Sequence, residues 1–223
     1  ILSAYLRNLG SQHEQPGVWI SGFFGSGKSH LAKMLRALWT NQPFSDGVSA
    51  RDIADLPQEV KDHFRELSNA ANRHGGLHAA SGTLGSGANN NVRLALLNIV
   101  FKSAGLPEQY HQARFVLWLK KQGIFDQLKA KVEADGDSWA DELEDLYVSR
   151  SIARALLEVD STLGGDVKEV RQLLREQYPN VQDVTNQQMV DAIYDALAKE
   201  GQFPLTLVVL DEVQQYVGSD TDK

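Results

Sequence analysis

The chain has 223 residues, 42% hydrophobic and 23% charged, a balance that supports a packed core in one domain, or one domain with a large insertion. A formal net charge of −7 and a pI near 5.4 argue against nucleic-acid binding by bulk charge and leave room only for a local basic patch. With no cysteine, disulfides and thiolate zinc sites are excluded; this fits a cytoplasmic protein, no leader is visible, and the longest apolar runs fall far short of a membrane span.

The pattern from Ile1 to Leu9 predicts a short amphipathic helix stopped by Gly10. Val18-Trp19-Ile20 is short, apolar and rich in strand formers, and predicts a strand. Directly after it stands Gly22-Phe23-Phe24-Gly25-Ser26-Gly27-Lys28-Ser29, the G-x-x-x-x-G-K-S spacing of a phosphate-binding loop. Its glycines let backbone N–H groups curl around a β-phosphate. The helix predicted to follow, with Leu31, Met34, Leu35 and Leu38 on one face, turns its positive N-terminal end toward the same anion.

Beyond a turn at Asn41–Gly47, the pattern from Arg51 to Asn72 is helical. Leu77–Thr83 predicts a weak strand, followed by a Gly/Asn-rich loop over 85–91. Helices are then predicted over 92–104, 108–121, 124–134, 138–158 and 167–177. The last, opened by a capping box at Thr185–Gln188, closes at Gly201. Leu205–Leu210 is a near-continuous apolar run of the kind expected of a strand covered on both faces, and it ends in Asp211-Glu212. Ile1 is not an initiator methionine and Lys223 follows Glu212 closely, so both ends read as cut from a longer protein.

Two carboxylates at a strand's C-terminal end lie where open α/β sheets bind ligands. With the glycine loop they form a nucleotide site. Gly22, Phe23, Phe24, Gly25, Ser26, Gly27, Lys28, Ser29 and His30 would surround the phosphates of ATP. Ser29 and Asp211, the latter through water, would hold Mg²⁺. Lys28, on the β- and γ-phosphates, and Glu212, orienting the attacking water, would carry catalysis. An N-K-x-D guanine-reading motif is absent, and a small-molecule kinase has no need of a glutamate beside the strand-end aspartate, so ATP hydrolysis is the expected reaction.

The fold expected is α/β, a P-loop NTPase core of the ASCE/AAA+-like kind. A minimal strand–helix–strand crossover takes about 30 residues, so the long stretch between the motifs predicts a mainly helical insertion. The organisation expected is 1–50 and 201–223 as two parts of one ATPase core, the second truncated, and 51–200 as the insertion, with a core strand near 77–83. His74 and His78 are four apart, but Gly75-Gly76 between them argues against a helical metal site. Lys120, Lys121, Lys129 and Lys131 read as a solvated helix face. Trp19, Trp39, Trp118 and Trp139 sit in apolar patterns and read as core.

The stretch from Val18 to Lys33 resembles the Walker A region of the BrxC/PglY family, the large P-loop ATPases of bacterial BREX phage-defence systems. Leu207 to Gly218, with its Val213-Gln214-Gln215-Tyr216 decoration, resembles that family's Walker B stretch, and Asn91–Leu97 and Ala113–Leu119 also look familial. The resemblance implies a cytoplasmic ATPase working as motor or switch in an anti-phage assembly. Its implied partners are other BREX proteins, among them a DNA methyltransferase and an alkaline-phosphatase-like protein, and DNA directly or indirectly. The full-length protein is a possible homo-oligomer. A nucleotide-gated, STAND-like scaffold with little hydrolysis is the alternative. In related ATPases a further strand separates the loop strand from the Asp-Glu strand. It is missing here, so the sheet is expected to be incomplete and the isolated chain to bind nucleotide poorly and turn over almost none.

Overall fold

A computed structural model describes residues 1–10, 15, 17–23, 25–84, 91–160, 162 and 165–213. The chain divides into two compact units, Ile1–Gly87 with Leu197–Lys223, and Ala88–Ala196.

The first unit contains α1 (Leu2–Asn8), α2 (Lys28–Thr40), α3 (Ala50–Ile53), α4 (Gln58–Ala71), β1 (Leu77–Thr83) and β2 (Leu205–Asp211). The two strands are parallel, in register from Leu77 beside Leu205 to Thr83 beside Asp211. Close backbone approach sets that register. A Cβ on Gly75 would meet the Gln202 carbonyl oxygen at 2.6 Å, and the Leu205 N–H donates to the Gly76 carbonyl at 2.9 Å. Gly76 itself needs a φ of +91°, which glycine alone adopts freely. The adjacent Gly75-Gly76 is thus the hinge that starts β1, and His78 lies on the strand rather than on a helix with His74. His78 is half-buried, and burial followed by the charge of Lys199 lowers its pKa.

Leu77, Ala79, Leu205 and Leu207, alternate residues of the paired strands, pack against Leu38, Trp39, Phe64, Leu67 and the apolar side of α1. Val208 and Leu210, which project from the opposite face, are exposed. β2 was expected to be covered on both faces; on the second face Ala80 of β1 is buried while Val208 and Leu210 of β2 are exposed, so the cover there is partial. α3 and α4, expected in the insertion, belong to this unit because α4 buries Phe64, Leu67, Ala70 and Ala71 here.

Arg51 locks the end of α2 to α4. Its guanidinium donates to the carbonyls of Leu38 (2.7 Å), Trp39 (2.8 Å) and Phe64 (3.1 Å) and to the Ser68 hydroxyl (2.7 Å), and lies 4.5 Å over the Phe64 ring. The last carbonyls of a helix have no partner within it, and here a side chain from α3 supplies one.

The second unit is helical: α5 (Val92–Ser103), α6 (Tyr110–Gln122), α7 (Phe125–Ala134), α8 (Trp139–Glu144), α9 (Arg150–Val159), α10 (Val167–Gln177) and α11 (Asn186–Leu197), whose final residue returns the chain to the first unit. Its core gathers Leu97, Phe101, Phe115, Leu119, Leu128 and Ile152. One long helix was expected over 138–158, but the structure has two. The Val148 and Ser149 N–H groups both turn back to the Asp145 carbonyl at 2.8 Å, and the Ser149 hydroxyl caps α9 by accepting from the Ile152 N–H. The expected capping box is present, with reciprocal bonds between Thr185 and Gln188. Arg93 pairs with Asp183, and Asn91 donates to the Gln182 carbonyl at 2.7 Å. Of the four tryptophans, Trp39 and Trp139 are buried and Trp118 is partly buried. Trp19, 71% exposed, is not a core residue.

Replacing Arg51 with Met strands these carbonyls and is expected to cost about 2–3 kcal/mol, read as a lower urea midpoint by circular dichroism. Arg51→Lys should recover under half, because an ammonium lacks the fork that reaches four oxygens.

In the second unit, hydrogen bonds from Arg93 and then Asn91 hold Asp183 at about 2. Burial raises Tyr178 to about 12. The Asp183 contribution is therefore complete above its unfolded pKa of 3.8 and lost as pH falls toward 2. The Tyr178 contribution is complete below 10 and lost as pH rises toward 12. Urea midpoints against pH should show both losses, with Asp183→Asn flattening the acid limb and Tyr178→Phe the alkaline one.

Candidate nucleotide site

The glycine loop turns on two left-handed glycines. Gly25 and Gly27 have φ of +79° and +83°, which a side chain would strain. A Cβ on Gly22 would meet the Ser26 hydroxyl at 2.8 Å. The Ser26 N–H donates to the Phe23 carbonyl at 3.2 Å, and the Leu31 N–H closes the first turn of α2 on Gly27 at 2.9 Å. Lys28 reaches back, its ammonium donating to the carbonyls of Gly22 and Phe23 at 2.8 Å each and to the Ser26 hydroxyl at 3.5 Å. The loop thus wraps its own cation, at the mouth where a phosphate would sit. Ser29 and His30 are exposed in the first turn of α2, Phe23 is 92% exposed, and Phe24 lies outside the described residues.

The direction of α2 relates this loop to the carboxylates. At the helix's far end the Trp39 indole N–H donates to the Leu205 carbonyl, at the start of β2, at 3.0 Å. Nearer the loop, Arg36 donates to the Ser81 hydroxyl, well along β1, at 2.9 Å. The helix therefore runs against the strands. From Trp39 back to Ser29 it rises about 15 Å, and from Leu205 to Asp211 β2 advances about 20 Å. The helix N-terminus is directed toward the sheet end that bears Asp211 and Glu212.

The Asp211 Oδ1 accepts from the Glu212 N–H at 2.9 Å. Glu212 has a φ of +56°, a left-handed conformation that costs a residue with a Cβ about 1–2 kcal/mol. Its side chain is exposed. Among the described residues no three His, Cys, Asp or Glu side chains gather as a metal site. Mg²⁺ does not need such a cage, since it keeps most of its water and takes one or two hard protein oxygens. The Ser29 hydroxyl and the Asp211 carboxylate are donors of that kind.

Val18-Trp19-Ile20 is not a strand. Among the described residues β2 pairs only with β1, and Val18, Trp19 and Ile20 are all exposed. Leu31 and Met34, on the expected apolar face of α2, are exposed as well; the helix buries Leu38 and Trp39. Thr83, which the sequence did not single out, stands in register beside Asp211, a position visible only once the strands are paired. Gln214 to Lys223, which include most of the Val-Gln-Gln-Tyr decoration, lie outside the described residues, as do Asn89 and Asn90. No family model and no solved structure matches the chain.

The strain at Glu212 gives a result that separates stability from chemistry. Glu212→Gly is expected to raise stability by up to about 1 kcal/mol, the left-handed cost less the entropy of glycine. Glu212→Ile, β-branched at the same φ, should lower it. Urea midpoints of the two variants check this, and equal midpoints would contradict the left-handed assignment.

Proposed function

We propose that this chain binds ATP with Mg²⁺ as the nucleotide site of a P-loop ATPase, and that the parent activity is hydrolysis of ATP to ADP and phosphate. The observation that carries the reading is the loop itself: two left-handed glycines and a lysine folded into the curve of its own backbone. Lys28 would exchange its carbonyl partners for β- and γ-phosphate oxygens. The Ser29 hydroxyl and Asp211 would hold the metal, which neutralises phosphate charge, and Glu212 would orient the attacking water. The resemblance of Val18–Lys33 and Leu207–Gly218 to the BrxC/PglY family supports a place in a cytoplasmic BREX defence assembly. There the ATPase acts as motor or switch beside a DNA methyltransferase and an alkaline-phosphatase-like protein.

A second reading, a nucleotide-gated scaffold, is favoured by the Val18–Ile20 segment, which is not in a strand, since a loop without a seated strand before it holds the phosphates less rigidly. The two readings part at Glu212, whose carboxylate matters to turnover and not to binding.

Titration with a fluorescent ATP analogue, with Mg²⁺ present, tests the proposal. Wild type should bind weakly but saturably, in preference to the guanine analogue. Lys28→Ala should lose at least about tenfold in affinity, one charge-assisted phosphate contact being worth about 1.5–3 kcal/mol. Glu212→Gln should bind as wild type and abolish whatever turnover the chain supports with or without duplex DNA. Binding that ignores Lys28 would contradict the assignment.

A further inference from the structure

The C-terminal ends of the two strands bring a second oxygen side chain to Asp211. Thr83 and Asp211 are register partners. Residues in register on parallel strands project from the same face, with the strands about 4.8 Å apart. That face is the one α2 covers. Ser81, which precedes Thr83 in the same row, accepts from Arg36 of α2 at 2.9 Å, and Leu77, Ala79, Leu205 and Leu207 of the same two rows pack with Trp39.

The pair is held in place from behind. The Leu84 N–H donates to the Asp211 carbonyl at 2.9 Å, and the Leu84 side chain is buried. Thr83 is exposed, so its hydroxyl faces solvent at the sheet end toward which Lys28 and Ser29 are directed. The Asp211 Oδ1 already accepts from the Glu212 N–H, which leaves Oδ2 for a ligand.

We propose that Thr83 is a further residue of this site, its hydroxyl accepting a hydrogen bond from a water in the hydration shell of the Mg²⁺ that Asp211 holds. The inference rests on the nucleotide reading above and extends it to β1. A hydrated Mg²⁺ orients by hydrogen bonds from its waters, and a hydroxyl offers acceptor lone pairs without a charge to be neutralised. Thr83 is a positioning residue here and touches neither phosphate nor metal.

The test uses Mn²⁺ in place of Mg²⁺ with the full 223-residue chain and ATP, free Mn²⁺ being read by electron paramagnetic resonance. Thr83→Val keeps the shape and loses the hydroxyl, with Thr83→Ala as the second variant should valine disturb the strand end. Thr83→Ser keeps the hydroxyl. Thr206→Val is the control, its hydroxyl bonding the Pro204 carbonyl at 2.9 Å at the other end of the sheet.

Thr83→Val and Thr83→Ala are expected to weaken Mn²⁺ binding in the presence of ATP by about tenfold. Thr83→Ser and Thr206→Val should leave it near wild type, and ATP affinity in EDTA should be the same for all. Mn²⁺ affinity unchanged in both hydroxyl-free variants, with a wild type that binds ATP and metal, would overturn the role of Thr83 alone. A wild type that binds no ATP would overturn the nucleotide reading, and this inference with it.

Discussion

The geometry of the site depends on how α2 ends. Its last carbonyls are taken by the Arg51 guanidinium, and its Trp39 indole N–H is given to the Leu205 carbonyl at the first residue of β2. A further contact, from Arg36 to the Ser81 hydroxyl farther along the sheet, sets the helix's direction, with its N-terminus toward the end of the strands. The residues at that end are Asp211 and Glu212. The core residue Trp39 and the half-buried Arg51 thus hold the end of the helix whose N-terminal glycine loop is directed toward a pair of carboxylates.

The same unit is unevenly covered. Alternate residues of β1 and β2 bury against α1, α2 and α4, while Val208 and Leu210 on the other face are exposed, along with Trp19, Ile20, Leu31 and Met34. Parallel strands are ordinarily covered on both faces, and a two-stranded sheet has little stability of its own. If the glycine loop binds nucleotide as proposed, this uneven cover accords with weak binding and slow turnover. The left-handed Glu212 belongs to this picture, its strain opposed by one hydrogen bond to its own neighbour.

What could be read from the residues was local. The glycine loop is encoded by backbone freedom at Gly25 and Gly27, a property of each residue alone. Apart from the break between α8 and α9, the helices from Val92 to Leu197 follow from apolar spacing and from the capping box at Thr185–Gln188. What could not be read depended on partners distant in sequence. Val18-Trp19-Ile20 has strand-forming side chains, but a strand exists only where another lies beside it. Trp19 has the composition of a core residue and no core to enter. The break at Asp145–Ser149 is a local exception, a serine that caps α9 forward instead of continuing α8. Thr83 gained its meaning only from pairing with Asp211, a residue far along the chain. The domain boundary moved because the amphipathic face of α4 fits the sheet, and a periodicity does not name the surface it will cover.

The central claim is that α2 directs the loop to the Asp211 end of the sheet. The absence of cysteine allows paired spin labels at introduced cysteines without background. Labels at Ser29 and Glu212, measured by pulsed dipolar spectroscopy, should give a distance of about 10–20 Å, the layer spacing plus the small offset between helix rise and strand advance. Moving the first label from Ser29 to Thr40, at the far end of α2, should lengthen it. A Ser29–Glu212 distance of about 30 Å or more, or a shorter one from Thr40, would mean that the loop and the carboxylates do not share a site.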